Sequence, residues 1–152
     1  MTGPHIDYAA VYQHLPIPIV LLTPEFVFAD VNRAYLEISG RTREELLGRN
    51  VFEVFPDNPA DPGATGVREL SASFGRVLAT GKPDSLSMQK YDVEVPGMPG
   101  LYETRYWSPV NAPMFGPDGE IAMILHCVEE ITERVRKFIS GLADSDAREP
   151  LE

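Results

Sequence analysis

The stretch DVNRAYLEISGRTREELLGRNVFEVFP, residues 30–56, packs three helix starts and three stops into one short span. Asp30 or Asn32 is placed to N-cap a helix carrying Ala34, Tyr35 and Ile38, and Gly40 ends it. Thr42-Arg43-Glu44-Glu45 then fits a capping box, in which Thr42 and Glu45 reciprocally bond free backbone N–H groups. Leu46 and Leu47 supply its apolar face before Gly48 closes it, and Val51 to Phe55 forms a third piece stopped by Pro56. Helices this short are marginal by themselves, so each needs a larger apolar surface to lie on.

The flanking sequence supplies that surface. Upstream, Tyr8, Val11, Tyr12 and Leu15 carry the spacing of an amphipathic helix. Residues 17–23 and 26–31 then read as a β-hairpin with its turn at Pro24-Glu25. Downstream, a Pro- and Gly-rich loop over 57–66 leads to a helix with Leu70, Phe74, Val77 and Leu78 on one stripe, ended by Gly81. Three extended segments follow at about 85–95, 101–114 and 120–131, separated by turns at Pro96 to Gly100 and Gly116 to Gly119.

In the last of these, Ile121, Met123, Leu125 and Cys127 share one face and Ala122, Ile124, His126 and Val128 the other. A strand apolar on both sides belongs at the centre of a sheet covered twice. The first strand, with Ile17, Ile19 and Leu21 against Val20 and Leu22, reads the same way, which makes first and last strands neighbours. The expected cover for the second face is the N-terminal helix or another subunit. The fold class is α+β: a five-stranded antiparallel sheet with helices on one face, an N-terminal amphipathic helix over 1–16, a core over 17–132 and a connector helix with tail over 133–152.

That connector places Ile131, Val135, Phe138 and Leu142 on one seam, the beginning of a coiled-coil pattern too short to hold a dimer alone. A capping helix folded back on the domain is the other reading. From Ala143 onward the sequence reads as a disordered tail, with Leu151-Glu152 resembling a cloning scar. Formal net charge is −10 with a pI near 4.7, which argues against nucleic acid and anionic membrane as partners. No apolar run is long enough to span a bilayer, and the single cysteine, Cys127, lacks a disulfide partner, so a cytoplasmic setting is expected.

Residues 32–36, 40–49 and 52–56, together with the Gly116 to Glu120 turn and the terminal Glu130-Ile131-Thr132, resemble the PAS domains. Glu130 stands where that family carries Asp. The resemblance implies a sensory domain with a cavity between sheet and helices, a homodimer interface and an output domain elsewhere in a larger signalling protein. Flavin and haem are cofactors of some branches. The reactive cysteine of the flavin branch would fall at Val51, which has no thiol, and the long helix over 67–80 holds no histidine to ligate haem, leaving His126 as the sole alternative ligand. The cofactor is therefore left unassigned.

Tyr35, Phe52, Phe55, Phe74, Tyr91, Tyr106, Trp107 and Met123 are the residues that the resemblance places along or near the cavity, with His126 as a candidate hydrogen-bonding group for a buried ligand, and aromatic, Met-containing walls suit an apolar small molecule. The same residue types also serve as ordinary core. His126 reads equally as a satisfied core histidine, Arg105 as a carboxylate receptor or an exposed strand residue, and Asn32 as a helix cap. Motifs for phosphate binding, zinc or nucleophilic catalysis are missing from the sequence, so a domain without catalytic activity is expected. Three functions stay open: ligand sensing, a filled-core docking and dimerisation module, and a small cavity enzyme relying on His126. Dimerisation is expected through the Tyr8–Leu15 helix and the sheet face.

Overall fold

The computed structural model describes residues 3–147. Helix α1 (Tyr8–His14) leads into β1 (Ile19–Leu22) and β2 (Phe28–Val31), followed by short helices α2 (Arg33–Ser39), α3 (Arg43–Leu46) and α4 (Val51–Val54). The long helix α5 (Gly66–Thr80) precedes β3 (Asp84–Ser85), β4 (Gln89–Lys90), β5 (Val93–Glu94) and β6 (Tyr102–Glu103). Strands β7 (Tyr106–Phe115) and β8 (Ile121–Glu130) complete the sheet, and α6 (Thr132–Ala147) leaves it.

The main sheet runs β2-β1-β8-β7-β3, antiparallel throughout, and β4 also pairs with β7. Because β3 and β4 occupy the same edge of β7, the sheet has five positions, the last held by one interrupted strand. First and last strands are central neighbours, with Val20 opposite His126 and Ile19 opposite Cys127. The segment expected as one strand over 85–95 is broken at Ser87 and Met88, and β5 pairs only with β6 in a separate hairpin around Pro96 to Gly100.

The short helices begin where their caps dictate. The Asn32 side chain accepts from the Tyr35 N–H at 3.1 Å, and Gly40 ends α2 at φ +67°. At α3, Thr42 Oγ1 accepts from the Glu45 N–H, but the return arm differs from a capping box: the Thr42 hydroxyl donates to the Glu45 carboxylate. The hairpin turn holds Phe26 at φ +68°, a region few bulky residues occupy, and its ring lies 5.2 Å from Phe74 and 6.0 Å from Phe52. Packing of that partly buried ring among aromatics offsets the backbone strain.

The core lies between the inner sheet face and α2 to α5, built from Val20, Leu22, Phe28, Leu46, Phe74 and Ile124. Two expectations are corrected here. Helix α1 packs against α2 and buries none of its own residues, so it is not the cover of the outer sheet face. Helix α6 continues through residues 143–147, where a disordered tail was expected; the suspected scar at 151–152 lies outside the described residues. Phe138 is 68% exposed and Ile139 and Leu142 are exposed with it, so α6 does not fold back as a cap.

Phe74 has no solvent exposure and touches Phe26, Phe52 and His126. Phe74→Ala is expected to lower stability by about 3–5 kcal/mol in chemical denaturation. A loss below about 1 kcal/mol would contradict this packing.

Candidate functional site

Inward-pointing residues of β7 and β8 form the floor of a cavity of about 60 Å³ roofed by α2, α4 and the start of α5. Trp107 and Pro109 come from β7, His126 and Val128 from β8, Tyr35 and Ser39 from α2, and Val51 and Leu70 from the other helices. Gln89, Tyr91 and Val93 close it from the interrupted edge, and Arg105 stands at its rim beside Ile38 and Phe55.

Of the nine residues expected here, Tyr35, Phe55, Tyr91, Trp107 and His126 line the cavity. Phe52 and Phe74 lie behind the wall, packed with Phe26 in edge-on and tilted contacts at ring separations of 5.2–6.1 Å. Tyr106 and Met123 are displaced: they alternate with Trp107 and Ile124 and so occupy the outer sheet face, away from the cavity.

Tyr91 is held by its neighbours. Its hydroxyl donates to the Phe55 carbonyl, its own carbonyl accepts from Trp107 Nε1 at 3.1 Å, and its ring presses on Gly66. A Cβ at Gly66 would sit 2.6 Å from that ring, so only glycine lets α5 begin so close to the cavity wall.

His126 ends a buried chain of side chains. Its Nδ1 lies 2.6 Å from Asn111 Oδ1, Asn111 Nδ2 lies 2.9 Å from Ser73 Oγ, and Ser73 Oγ lies 2.6 Å from Asp84 Oδ2. Arg76 binds both Asp84 oxygens at 3.0 Å from the surface. Those Arg76 bonds, with the Ser73 bond second, hold the Asp84 carboxyl below its usual range. Burial lowers the His126 pKa to about 4, so the imidazole is neutral near pH 7. The sequence reading missed Asn111 and Ser73. Their signal was a polar residue on a buried face: Asn111 alternates in phase with Trp107, and Ser73 shares the stripe of Leu70, Phe74 and Val77.

Arg105 Nη1 donates to the Ile38 carbonyl at the end of α2 at 3.0 Å and sits 3.6 Å from Glu130 Oε1, while Nη2 meets Glu103 at 3.1 Å. Glu130 in turn accepts from the Thr132 hydroxyl at 2.7 Å, and Thr132 Oγ1 accepts from the Tyr106 N–H at 3.0 Å. Glu130, in the place of the family's Asp, thus joins the rim of the cavity to the first turn of α6.

Neither haem nor flavin fits these residues. A cofactor of that size needs a pocket of roughly 300 Å³ or more, several times the space present. Val51 lies on the wall without a thiol, and α5 offers no histidine. Among the described residues, no group of three or more His, Cys, Asp or Glu side chains is placed to hold a metal ion, and no helix is long and apolar enough to cross a membrane.

An antiparallel sheet with short helices folded over one face, enclosing a cavity at its central strands, defines a class of small α+β domains. A sequence model described as the PAS fold matches residues 12–136, and the chain belongs to that family. Solved structures agree. The PAS domain of a Colwellia psychrerythraea protein is 13% identical with a TM-score of 0.65, over 83% of this chain and 95% of that one. The PAS domain of Bordetella pertussis BvgS is 26% identical with a TM-score of 0.58, over 91% of this chain and 93% of that one. A sensory box sensor histidine kinase from Vibrio cholerae is 18% identical with a TM-score of 0.52, over 82% and 89% of the two chains.

The neutral, buried His126 gives a signed pH effect. An unfolded-chain imidazole titrates near 6.5, so the unfolded state takes up the proton first as pH falls. The loss of stability from this group begins near pH 6.5 and levels off below about 4, at up to about 3 kcal/mol. Urea denaturation from pH 7 to pH 4.5 should show a shallower decline for His126→Gln than for the parent; parallel declines would contradict the buried neutral state.

Proposed function

We propose that this PAS domain is a sensor that admits a small molecule to the cavity and passes its occupancy to α6. The observation that carries the reading is Arg105. One guanidinium borders the cavity, holds the end of α2 through the Ile38 carbonyl and pairs with Glu130 beside the α6 start. A ligand shifts an equilibrium only by binding two arrangements unequally. A shared residue at wall and helix root gives it that opportunity.

In this proposal the domain is cytoplasmic, has no catalytic role, contacts neither nucleic acid nor membrane, and regulates an output domain of a larger signalling protein. It works as a homodimer. The outer sheet face carries exposed Val110 and Met114 beside half-buried Leu21, Leu125 and Cys127, and α6 adds Phe138, Ile139 and Leu142. Tyr8 and Val11 of α1 are exposed as well. A second reading, a docking module with a filled core, draws on the small cavity volume.

Native mass spectrometry compared with the denatured mass separates the two readings. A mass excess lost on denaturation is expected for the sensor. A bare dimer that gains no mass from a cell-extract small-molecule fraction would favour docking alone. For the dimer, Phe138→Asp is expected to weaken self-association in sedimentation with the domain still folded; unchanged association would remove α6 from the interface.

A further inference from the structure

We infer that the cavity is built for a small uncharged molecule carrying hydroxyl groups, received between the Nε2 lone pair of His126, the Gln89 side-chain carbonyl and the hydroxyl of Tyr35. This rests on the reading of the cavity as a ligand site and specifies the chemistry it takes.

The direction of every proton in the buried chain follows from its surface end. Asp84 is a carboxylate held by Arg76 and can only accept, so the Ser73 hydroxyl donates to it. Ser73 Oγ then accepts from Asn111 Nδ2, which leaves Asn111 Oδ1 facing His126 as an acceptor. His126 Nδ1 must therefore carry the proton. Because the ring is neutral, Nε2 is left as a bare lone pair on a residue only 4% exposed that lines the cavity. Reversing any link would aim two donors or two acceptors at each other.

The other polar groups on the wall are mostly committed. Ser39 Oγ donates to the Leu36 carbonyl and accepts from the Arg41 N–H. The Tyr91 hydroxyl and Trp107 Nε1 each hold a backbone carbonyl. Gln89 Nε2 donates one N–H to the Gly66 carbonyl at 2.9 Å, which leaves its side-chain oxygen as a further acceptor beside the second N–H of the amide. Tyr35, 7% exposed, makes no side-chain hydrogen bond among the described residues. The cavity thus offers two acceptors, the His126 lone pair and the Gln89 oxygen, beside the Tyr35 hydroxyl and the second Gln89 N–H, a set that suits groups able both to donate and to accept, as hydroxyls do.

Charge narrows the class further. Arg105 is the cationic residue at the rim, and Glu103, Glu130 and the Ile38 carbonyl already engage it. Among the described residues that line the cavity an anion would meet no uncommitted cation and would face the lone pair of His126; Arg41, near Tyr35 but outside the lining, is engaged by Glu45 and the Phe55 ring. A space of about 60 Å³ exceeds what a single water needs and falls well short of the roughly 300 Å³ of a drug-sized ligand's pocket, so a ligand of a few heavy atoms suits it. A short diol meets all three conditions.

The test uses three probes of similar size on the full, isotope-labelled chain: propane-1,2-diol, lactate and 2-butanone. Imidazole nitrogen resonances and backbone amides are followed by NMR. The diol is expected to give saturable shifts at His126 and Tyr35, starting from an Nδ1-protonated imidazole, with lactate and 2-butanone at least tenfold weaker. Tyr35→Phe should weaken diol binding about 2- to 10-fold while the amide spectrum stays folded. Lactate or 2-butanone binding as tightly as the diol, or an imidazole protonated on Nε2, would overturn the ligand class and leave the cavity reading intact. Diol affinity unchanged in Tyr35→Phe would remove Tyr35 from the site. No saturable shift along the cavity wall with any probe would overturn both this inference and the sensor reading beneath it.

Discussion

One buried carboxamide sets the geometry on which the site depends. Asn32, fully enclosed, accepts from the N–H groups of Ile19 and Tyr35 and donates to the carbonyls of Tyr12 and Ile17. Four bonds exhaust what an Asn side chain can make. They tie the end of α1, the entry to β1 and the start of α2 at one point. The angle at which α2 leaves the sheet, and with it the place of Tyr35 in the roof of the cavity, follows from that saturation. An apolar side chain of equal size would strand the buried N–H groups of Ile19 and Tyr35, each with its own desolvation cost, and would release the part-buried carbonyls of Tyr12 and Ile17.

The chain from Asp84 to His126 obeys the same accounting with a different end. Inside a low-dielectric core a half-satisfied network costs more than an apolar one, so an open terminus persists only where something else stabilises it. Here the salt bridge at the surface fixes the far end, and Phe74 meets the His126 ring edge-on at 5.4 Å. The saturated network holds the fold. The unsaturated one presents a single, oriented lone pair to the cavity.

Much of this architecture was legible because it is periodic. Strand pairing at the centre, the α5 stripe and the caps at Asn32, Thr42 and Gly40 each follow from spacings a single chain displays. The site was less legible, for reasons of register. Tyr106 and Trp107 are adjacent, so only one can face inward, and nothing in their chemistry says which until β7 is paired with β8. Met123 failed for the same reason, one position from Ile124. Asn111 carries no signal of its own, since its meaning depends on Ser73, a residue far away in sequence. The break at Ser87 and Met88 was hidden because an edge strand pairs on one side only and tolerates interruption.

That break matters to the site. If β4 had continued without interruption from β3, Gln89 and Tyr91 would be held in register along the whole length of β7. Instead Gln89 pairs opposite Trp107, Tyr91 bonds to the Arg105 carbonyl, and the chain turns away into the β5-β6 hairpin. Gly66 then allows α5 to close on the Tyr91 ring. The cavity edge nearest Arg105 is thus made of short, separately anchored pieces, while the floor is two ten-residue strands. Rearrangement costs least where the fewest ladder bonds must break, and Arg105, the link to Glu130 and α6, sits on the short-pieced side.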